Sequence, residues 1–188
     1  MVKQLRPALF MLAILTLLTG VIYPLLVTGI AQLALPRQAN GSLVLVGDTV
    51  VGSALLGQAN DDPRYFWPRP SATDYGTLPS GGSNLAPTSV DLAAAVRQRM
   101  TDFRAANSLA ADAAVPTEML FASGSGLDPH ISPDAARLQV GRVAAARGLN
   151  QAQLLALVEA HVERPQLGLL GQPRVNVLLL NRALDEIQ

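Results

Sequence analysis

Thirty consecutive residues without a charged side chain, from Pro7 to Pro36, constrain this chain more than any other feature. At about 1.5 Å of rise per helical residue such a run spans roughly 45 Å, whereas the hydrocarbon core of a bilayer is about 30 Å thick. Its many leucine, isoleucine and valine side chains favour insertion, and no charge opposes it. The sequence therefore predicts one transmembrane helix over residues 8–35, between a short N-terminus, residues 1–7, and a domain of residues 37–188.

The charges around this run predict its orientation. Lys3 and Arg6 precede the run, and the first acidic residue of the chain is Asp48. Because positive charge is retained on the cytoplasmic side, residues 1–7 are expected in the cytoplasm, and residues 37–188 on the periplasmic or extracellular side of the inner membrane. A cleaved signal peptide is the alternative, although the apolar region of a signal peptide is normally about half this length.

Composition excludes several functions for the domain that follows. There is no cysteine, which excludes thiolate catalysis and thiolate zinc clusters. Lys3 is the only lysine, so a P-loop and the phosphorylated Asp-Lys-Thr-Gly loop of a P-type ATPase are both absent. Two of the fourteen basic residues precede the run, which leaves twelve scattered arginines against fourteen acidic residues. This near-neutral balance argues against nucleic acid as a partner.

Periodicity and capping signals predict an α/β (α+β) domain in which a small sheet packs with three to four helices. Two short strands are expected on either side of a type II′ turn at Gly47-Asp48. Residues 52–88, rich in glycine and proline, are expected to form an extended but ordered loop. The remaining predicted elements are a helix over 89–106 capped by Thr88, a core strand at Met119–Phe121, a helix from Ser132 to Gly148, a helix from Asn150 until Pro165, a strand at Pro173–Val175 and a last helix capped by Asn176.

Small or helix-bending residues recur every fourth position in the apolar run, at Thr16, Gly20, Pro24 and Thr28. Residues four apart lie on one ridge of a helix, where small side chains allow another membrane helix to approach closely. The ridge therefore indicates a membrane partner. The alternative is that glycine and proline are simply more frequent in membrane helices than in soluble ones.

The densest cluster of turn-forming and polar residues lies directly before the predicted helix at Ser132. Backbone N–H groups there could contact an anion or a partner, or the segment could be a rigid turn that stabilises the fold. A serine hydrolase using Ser125, His130 and Asp128 is a third interpretation, but the Gly-x-Ser-x-Gly elbow is missing. The candidate contact residues are Ser123, Gly124, Ser125, Gly126, Asp128 and His130. No catalytic residue is assigned. The histidines, His130 and His161, have no acidic cluster near them in sequence, so no metal site is predicted.

Two further segments are candidates for contacts. Ser80, Gly81, Gly82, Ser83 and Asn84 are weakly similar to the Ser-Gly-Gly-Gln signature with which ABC transporters hold a γ-phosphate, and small residues in a turn explain the pattern equally well. The run Tyr65-Phe66-Trp67, flanked by Arg64 and Arg69, is typical of a partner surface or of anchors that fasten a loop to its own core. The anchoring interpretation is favoured.

Taken together, these segments resemble the C subunit of the bacterial Kdp-type potassium-transporting ATPase. The similarity extends over nearly the whole chain, in the order of the family. The stretches that carry it are GSALLGQ (52–58), YFWPRPSA (65–72), SGGSNL (80–85), SGSGLDPHISP (123–133), RVAAARGL (142–149) and GQPRVNVLLLNRAL (171–184).

The resemblance implies an accessory subunit, without an active site of its own, in a high-affinity potassium uptake complex. Its partners in the family are a potassium-carrying channel-like subunit, a P-type ATP-hydrolysing subunit and a small membrane peptide. The family is proposed to act as a catalytic chaperone that raises the ATP affinity of the hydrolysing subunit. The predicted topology places residues 37–188 away from cytoplasmic ATP, so no bound cofactor is expected and contact with the channel-like subunit is preferred. A membrane-anchored periplasmic hydrolase is the alternative function.

Overall fold

The computed structural model describes residues 2–187 and divides into two units, of which the first ends at Leu43 and the second begins at Val44. The first unit is dominated by one apolar helix over Leu5–Ala34. No residue in the most hydrophobic 18-residue stretch of this helix is buried inside the structure. This helix is long and apolar enough to cross a membrane, as predicted. The position of the bilayer along it, expected over residues 8–35, stays a prediction.

The apolar helix consists of three segments, α1 (Leu5–Leu17), a π-helical segment (Leu18–Ile22) and α2 (Tyr23–Ala34). The wider π segment ends two residues before Pro24, which has no N–H group and whose ring would meet the carbonyl four residues earlier, within that segment, in a regular helix. The proline therefore explains the irregularity. A short helix, α3 (Pro36–Ala39), follows.

The second unit is a mixed α/β domain, and this confirms the predicted fold class. It has two small sheets rather than one: β1 (Leu43–Val46) with β2 (Thr49–Ser53), and a three-stranded antiparallel sheet in the order β3-β5-β4. In the second sheet Ile131 lies opposite Val175, and Val162 lies opposite the same valine on its other side. The other elements are α4 (Val90–Ala106), a 3₁₀ turn (Thr117–Met119), β3 (His130–Ile131), α5 (Pro133–Arg147), α6 (Gln151–Ala160), β4 (Val162–Glu163), β5 (Arg174–Asn176) and α7 (Val177–Asp185).

Capping residues set most helix boundaries as predicted. The Ser132 hydroxyl accepts a hydrogen bond from the Ala135 N–H, and α5 ends at Gly148 with a positive φ of 67°. Asn150 and Asn176 cap α6 and α7 in the same way. The hairpin turn is also confirmed in part, because Gly47 has the positive φ of 58° that a type II′ turn requires at its first central position.

Three sequence predictions are wrong in detail. Ser89, not Thr88, caps α4, because its side chain accepts from the Leu92 N–H. The expected core strand at Met119–Phe121 is instead the end of a 3₁₀ turn, in which the N–H groups of Leu120 and Phe121 both bond the Thr117 carbonyl. Helix α6 ends at Ala160, because Val162 joins β5 as a strand instead of continuing the helix.

The hydrophobic core lies between α5, α6, α7 and the three-stranded sheet. Helix α5 contributes a face of small residues, including Ala135 and Ala136, that lets its neighbours approach closely. Leu154 and Val158 of α6 are fully buried against this core. The core also takes in Phe66, from the long loop of residues 52–88, which is ordered and fastened across the domain as predicted.

Candidate functional site

The two glycine-rich segments singled out in the sequence, Ser80–Asn84 and Ser123–Asp128, lie side by side in the structure; they are called the paired loops below. A Cβ atom added to Gly82 would lie 3.5 Å from Gly124 Cα and from the Ser123 carbonyl oxygen. Sequence reasoning proposed both segments but did not place them together. They therefore form one surface of the domain.

Gly126 is the position where the paired loops approach most closely. Its φ is +71°, and an added Cβ would lie 2.7 Å from Thr73 Oγ1 and 2.9 Å from the Gly81 carbonyl oxygen. Side chains essentially never pack at such distances, and only glycine adopts this backbone conformation without strain. The loop architecture therefore requires glycine here.

The loop before β3 is held by its own hydrogen bonds and by a neighbouring segment. The Gly126 N–H donates to the Ser123 carbonyl at 3.2 Å, and the Ser123 N–H donates to the Pro70 carbonyl at 3.2 Å. The Ser125 hydroxyl accepts from the Leu127 N–H at 3.1 Å. These bonds describe an ordered turn, which is the structural role that the sequence allowed for it.

The predicted contact residues of the paired loops differ in exposure. Ser123 and Gly126 are buried, and Gly81 and Gly82 are half-buried. The exposed members, which are the ones available for contact, are Ser80, Ser83, Asn84, Gly124 and Ser125. What they contact stays a prediction.

Asp128 links the end of this loop to the aromatic segment and to β3. Its carboxylate accepts a hydrogen bond from Arg69 Nη1 at 2.8 Å and another from the His130 N–H at 3.0 Å. Burial alone would raise the pKa of Asp128, but the hydrogen bonds from His130 and Arg69 outweigh it and lower the pKa to about 2. Asp128 is therefore ionised at neutral pH.

His130 lies between two carboxylates. Its Nδ1 is 3.4 Å from Asp128 Oδ1, and its Nε2 is 3.8 Å from Glu163 Oε2. Because both ring nitrogens face carboxylates, and the Ser125 hydroxyl bonds the Leu127 N–H instead, the geometry does not support a Ser125–His130–Asp128 triad. His161 caps the end of α6, and its Nδ1 lies 2.8 Å from the Leu157 carbonyl oxygen.

A groove of about 980 Å³ opens beside His130, between the N-terminal end of α5 and the legs of the segment that joins β4 to β5. Both cations and anions line it, and several are paired: Arg137 bonds Glu159, and Arg174 bonds Glu163 at 2.8 Å. In the part of the chain that the structure describes, no three metal-binding side chains converge. The charged residues that line the groove are Arg69, Glu118, Asp128, His130, Asp134, Arg137, Arg164 and Arg174.

Comparison with known proteins decides the family. The family described as "KdpC: K+-transporting ATPase, c chain" matches residues 5–186. The chain belongs to the KdpC family. It is 58% identical over 188 residues to the potassium-transporting ATPase KdpC subunit of Sorangium cellulosum, covering 98% of each chain. It is 54% identical to that of Cereibacter sphaeroides, again over 98% of each chain, and 51% identical to that of Methylococcus capsulatus over the full length of both.

The KdpC match confirms the family that the sequence motifs indicated, and it includes the apolar helix as well as the paired loops. In the apolar helix the predicted ridge residues Thr16, Gly20, Pro24 and Thr28 are all exposed. A Cβ added to Gly20 would meet no atom within 4 Å, so another helix could approach it closely.

Sequence reasoning on this KdpC chain missed several residues that shape the surface around the paired loops. Glu163, Arg164 and Arg174 line or border the groove, yet their side chains form no ligand or catalytic motif in the sequence. The ion pair between Glu163 and Arg174 becomes apparent only when β4 and β5 are paired, because Glu163 then lies opposite Arg174. Correct prediction of β4 would have revealed this pair.

Proposed function

We propose that this chain is a non-catalytic accessory subunit of an ATP-driven, high-affinity potassium uptake complex. Its proposed partners are the potassium-carrying channel-like subunit, the P-type ATP-hydrolysing subunit and a small membrane peptide. The observation that carries the proposal is the KdpC match over residues 5–186, which spans the apolar helix and the domain together.

The proposed role is assembly and stabilisation by contact. The apolar helix lies beside the other membrane-spanning subunits, and the domain covers the outward face of the channel-like subunit. Lys3 and Arg6 before the helix support a cytoplasmic N-terminus, and with it a domain on the periplasmic side of the inner membrane. A subunit that contacts one state of its partners better than another shifts their equilibrium without chemistry of its own.

We attribute the catalytic-chaperone role proposed for the family to such contacts between subunits, and not to ATP binding by this chain. ATP is cytoplasmic, whereas the proposed topology puts the paired loops outside. Any rise in the ATP affinity of the hydrolysing subunit is therefore transmitted through the complex. A photoreactive ATP analogue at millimolar concentration should label the hydrolysing subunit and leave the full chain unlabelled; labelling at Ser80–Asn84 would contradict this arrangement.

Assembly is tested by expressing the other three subunits with and without the full chain in a bacterium that lacks potassium uptake of this kind. With the chain present, a tag on the hydrolysing subunit should recover all four polypeptides and potassium-dependent ATP hydrolysis. Without it, we expect loss of that activity and reduced recovery of the channel-like subunit. Equal recovery and equal activity in both preparations would overturn the proposed function.

The geometry of His130 does not favour the alternative function, a membrane-anchored hydrolase. A hydrolase would show substrate hydrolysis by the full chain that is lost in Ser125→Ala. We expect Ser125→Ala to support the same potassium uptake as the native chain, because Ser125 is exposed and its hydroxyl, among residues 2–187, bonds the Leu127 N–H alone.

A further inference from the structure

The segment that joins β4 to β5 exposes three leucines at one tip. Leu167 is 91% exposed, Leu169 is 86% exposed and Leu170 is 61% exposed. Residues 166–170 are called the leucine loop below. A cluster of large apolar side chains that the domain leaves in water is typical of an interaction surface, whereas single exposed leucines are ordinary.

The leucine loop is fixed by its own backbone. The N–H groups and carbonyls of Gln166 and Leu170 bond each other in both directions at 2.9 Å, and the Gly168 N–H donates to the Pro165 carbonyl at 3.0 Å. Leu167 has a positive φ of 54°, which is uncommon for a leucine. The side chains are therefore presented on an ordered turn, and less conformational entropy is lost when such a turn binds.

The loop stands directly beside the groove. Both of its legs line that groove, through Arg164 and Pro165 on one side and through Gln172, Pro173 and Arg174 on the other. The surface therefore combines a projecting apolar tip with a concavity of about 980 Å³. A flat bilayer surface could accept the tip but could not fill the concavity, whereas a shaped protein surface could do both.

The charges at this surface also favour a protein partner. Arg137 and Arg174 are already paired with Glu159 and Glu163, so an anionic lipid surface would gain little from them. Within residues 2–187, the Arg164 side chain at the base of the loop has no hydrogen bond or ion pair, and Arg164 is exposed. One free cation beside an apolar tip is complementary to an apolar recess with a carboxylate at its edge.

We propose that the leucine loop docks into an apolar recess of a neighbouring polypeptide of the transport complex, with a carboxylate of that polypeptide beside Arg164. The inference rests on the proposed function, because assembly supplies the neighbouring polypeptide. It assigns the contact to one named surface of the chain.

The direct test is photocrosslinking in the assembled complex. A photoreactive amino acid is placed at position 169 of the full chain, and in a matched sample at position 90, because Val90 is 81% exposed and begins α4, outside the leucine loop and the paired loops. We expect position 169 to form an adduct with another subunit at least tenfold more efficiently than position 90. Adducts with lipid alone, no adduct at position 169, or equal adducts at both positions would overturn the inference.

A second test measures recovery of the complex. The double variant Leu167→Ser, Leu169→Ser should reduce co-purification of the chain with the other subunits at least tenfold, whereas Val90→Ser, at a similarly exposed position of α4, should leave it unchanged. Arg164→Glu should reduce recovery more than Arg164→Lys, which keeps the charge. All these side chains are exposed, so thermal unfolding should match that of the native chain.

Co-purification of the native chain and of the double serine variant separates the proposed function from the docking surface. If the native chain does not co-purify with the other subunits, the proposed function fails. If the native chain co-purifies and the double serine variant does so equally well, the proposed function stands and the docking surface is wrong.

Discussion

The side-chain amide of Asn181 brackets the backbone of Phe66. Its Oδ1 accepts from the Phe66 N–H at 2.8 Å, and its Nδ2 donates to the Phe66 carbonyl at 2.9 Å. Gln139 bonds the backbone of Trp67 in the same manner, with its Oε1 2.7 Å from the Trp67 nitrogen and its Nε2 3.3 Å from the Trp67 carbonyl oxygen. Two helix side chains therefore take the place of a neighbouring strand, and they allow a fully buried phenylalanine to stand in a loop.

Replacing Asn181 should destabilise the folded domain. Asn181→Ala leaves the buried N–H and carbonyl of Phe66 without partners, and each such group costs about 1–3 kcal/mol. We expect the free energy of unfolding to fall by about 2–4 kcal/mol, measured by chemical unfolding of the full chain in detergent. Gln153→Ala is the control, since Gln153 is exposed on α6, and it should change stability by less than about 0.5 kcal/mol. Equal stability of the two variants would contradict the bracketing role.

Gly126 and Gly124 offer a matched pair within one loop. Gly126→Val places a branched side chain where φ is +71° and where its Cβ would lie 2.7 Å from Thr73 Oγ1. A loss of at least about 2 kcal/mol is expected from strain and overlap together. A Cβ at Gly124 would meet nothing within 4 Å, so Gly124→Ala should unfold at nearly the native temperature. Normal folding and potassium transport by Gly126→Val would show that the close approach of the paired loops is dispensable.

Arg142 is a buried cation held by carbonyl and amide oxygens. It donates to the carbonyls of Pro63 and Tyr65 at 2.7 and 2.9 Å and stacks on the Trp67 ring at 4.0 Å. Burial lowers the pKa of Arg142 to about 10, so the guanidinium remains charged at neutral pH. Arg142→Met should lower stability by about 2–3 kcal/mol, because buried acceptors lose their donor.

The single tryptophan reports this change directly. Its fluorescence and near-ultraviolet circular dichroism should shift in Arg142→Met and stay native in Arg97→Met, because Arg97 lies exposed on α4. A native tryptophan signal in Arg142→Met would show that the stacked cation does not hold the aromatic segment.

The lowered pKa of Asp128 should make the stability of the domain depend on pH in the acid range. Its folded pKa of about 2 lies below the ordinary value of 3.8, so the ionised carboxylate stabilises the fold above pH 4, and this contribution is lost as the pH falls towards 2. Because the side chain is partly exposed to solvent, we expect Asp128→Asn to cost only about 1 kcal/mol at pH 7. The stability difference between the native chain and Asp128→Asn should shrink as the pH is lowered from 4 to 2. A difference that is constant across this range would contradict the assignment.

The parts of the structure that local sequence determines were predictable. The apolar run, the caps at Ser132, Asn150 and Asn176 and the turn at Gly47 depend on neighbouring residues, and the structure has them. The prediction of a strand at Met119 was wrong because a short apolar run does not by itself distinguish a strand from a turn that buries the same side chains.

The contacts between distant segments could not be read from the sequence. The approach of Gly126 to Gly81 and the alignment of Glu163 with Arg174 depend on how the loops and strands pair. The sequence placed the aromatic run on the core but did not indicate that Asn181 and Gln139 hold it. Single polar residues on helices carry no signal of a partner more than seventy positions away.

The domain is proposed to act by contact on the outer side of the membrane, away from ATP, and protease accessibility distinguishes the two sides. Protease added to sealed spheroplasts should digest residues 37–188, whereas the same protease added to inverted vesicles should leave them intact. Digestion in the vesicles with protection in the spheroplasts would show that the domain faces the cytoplasm.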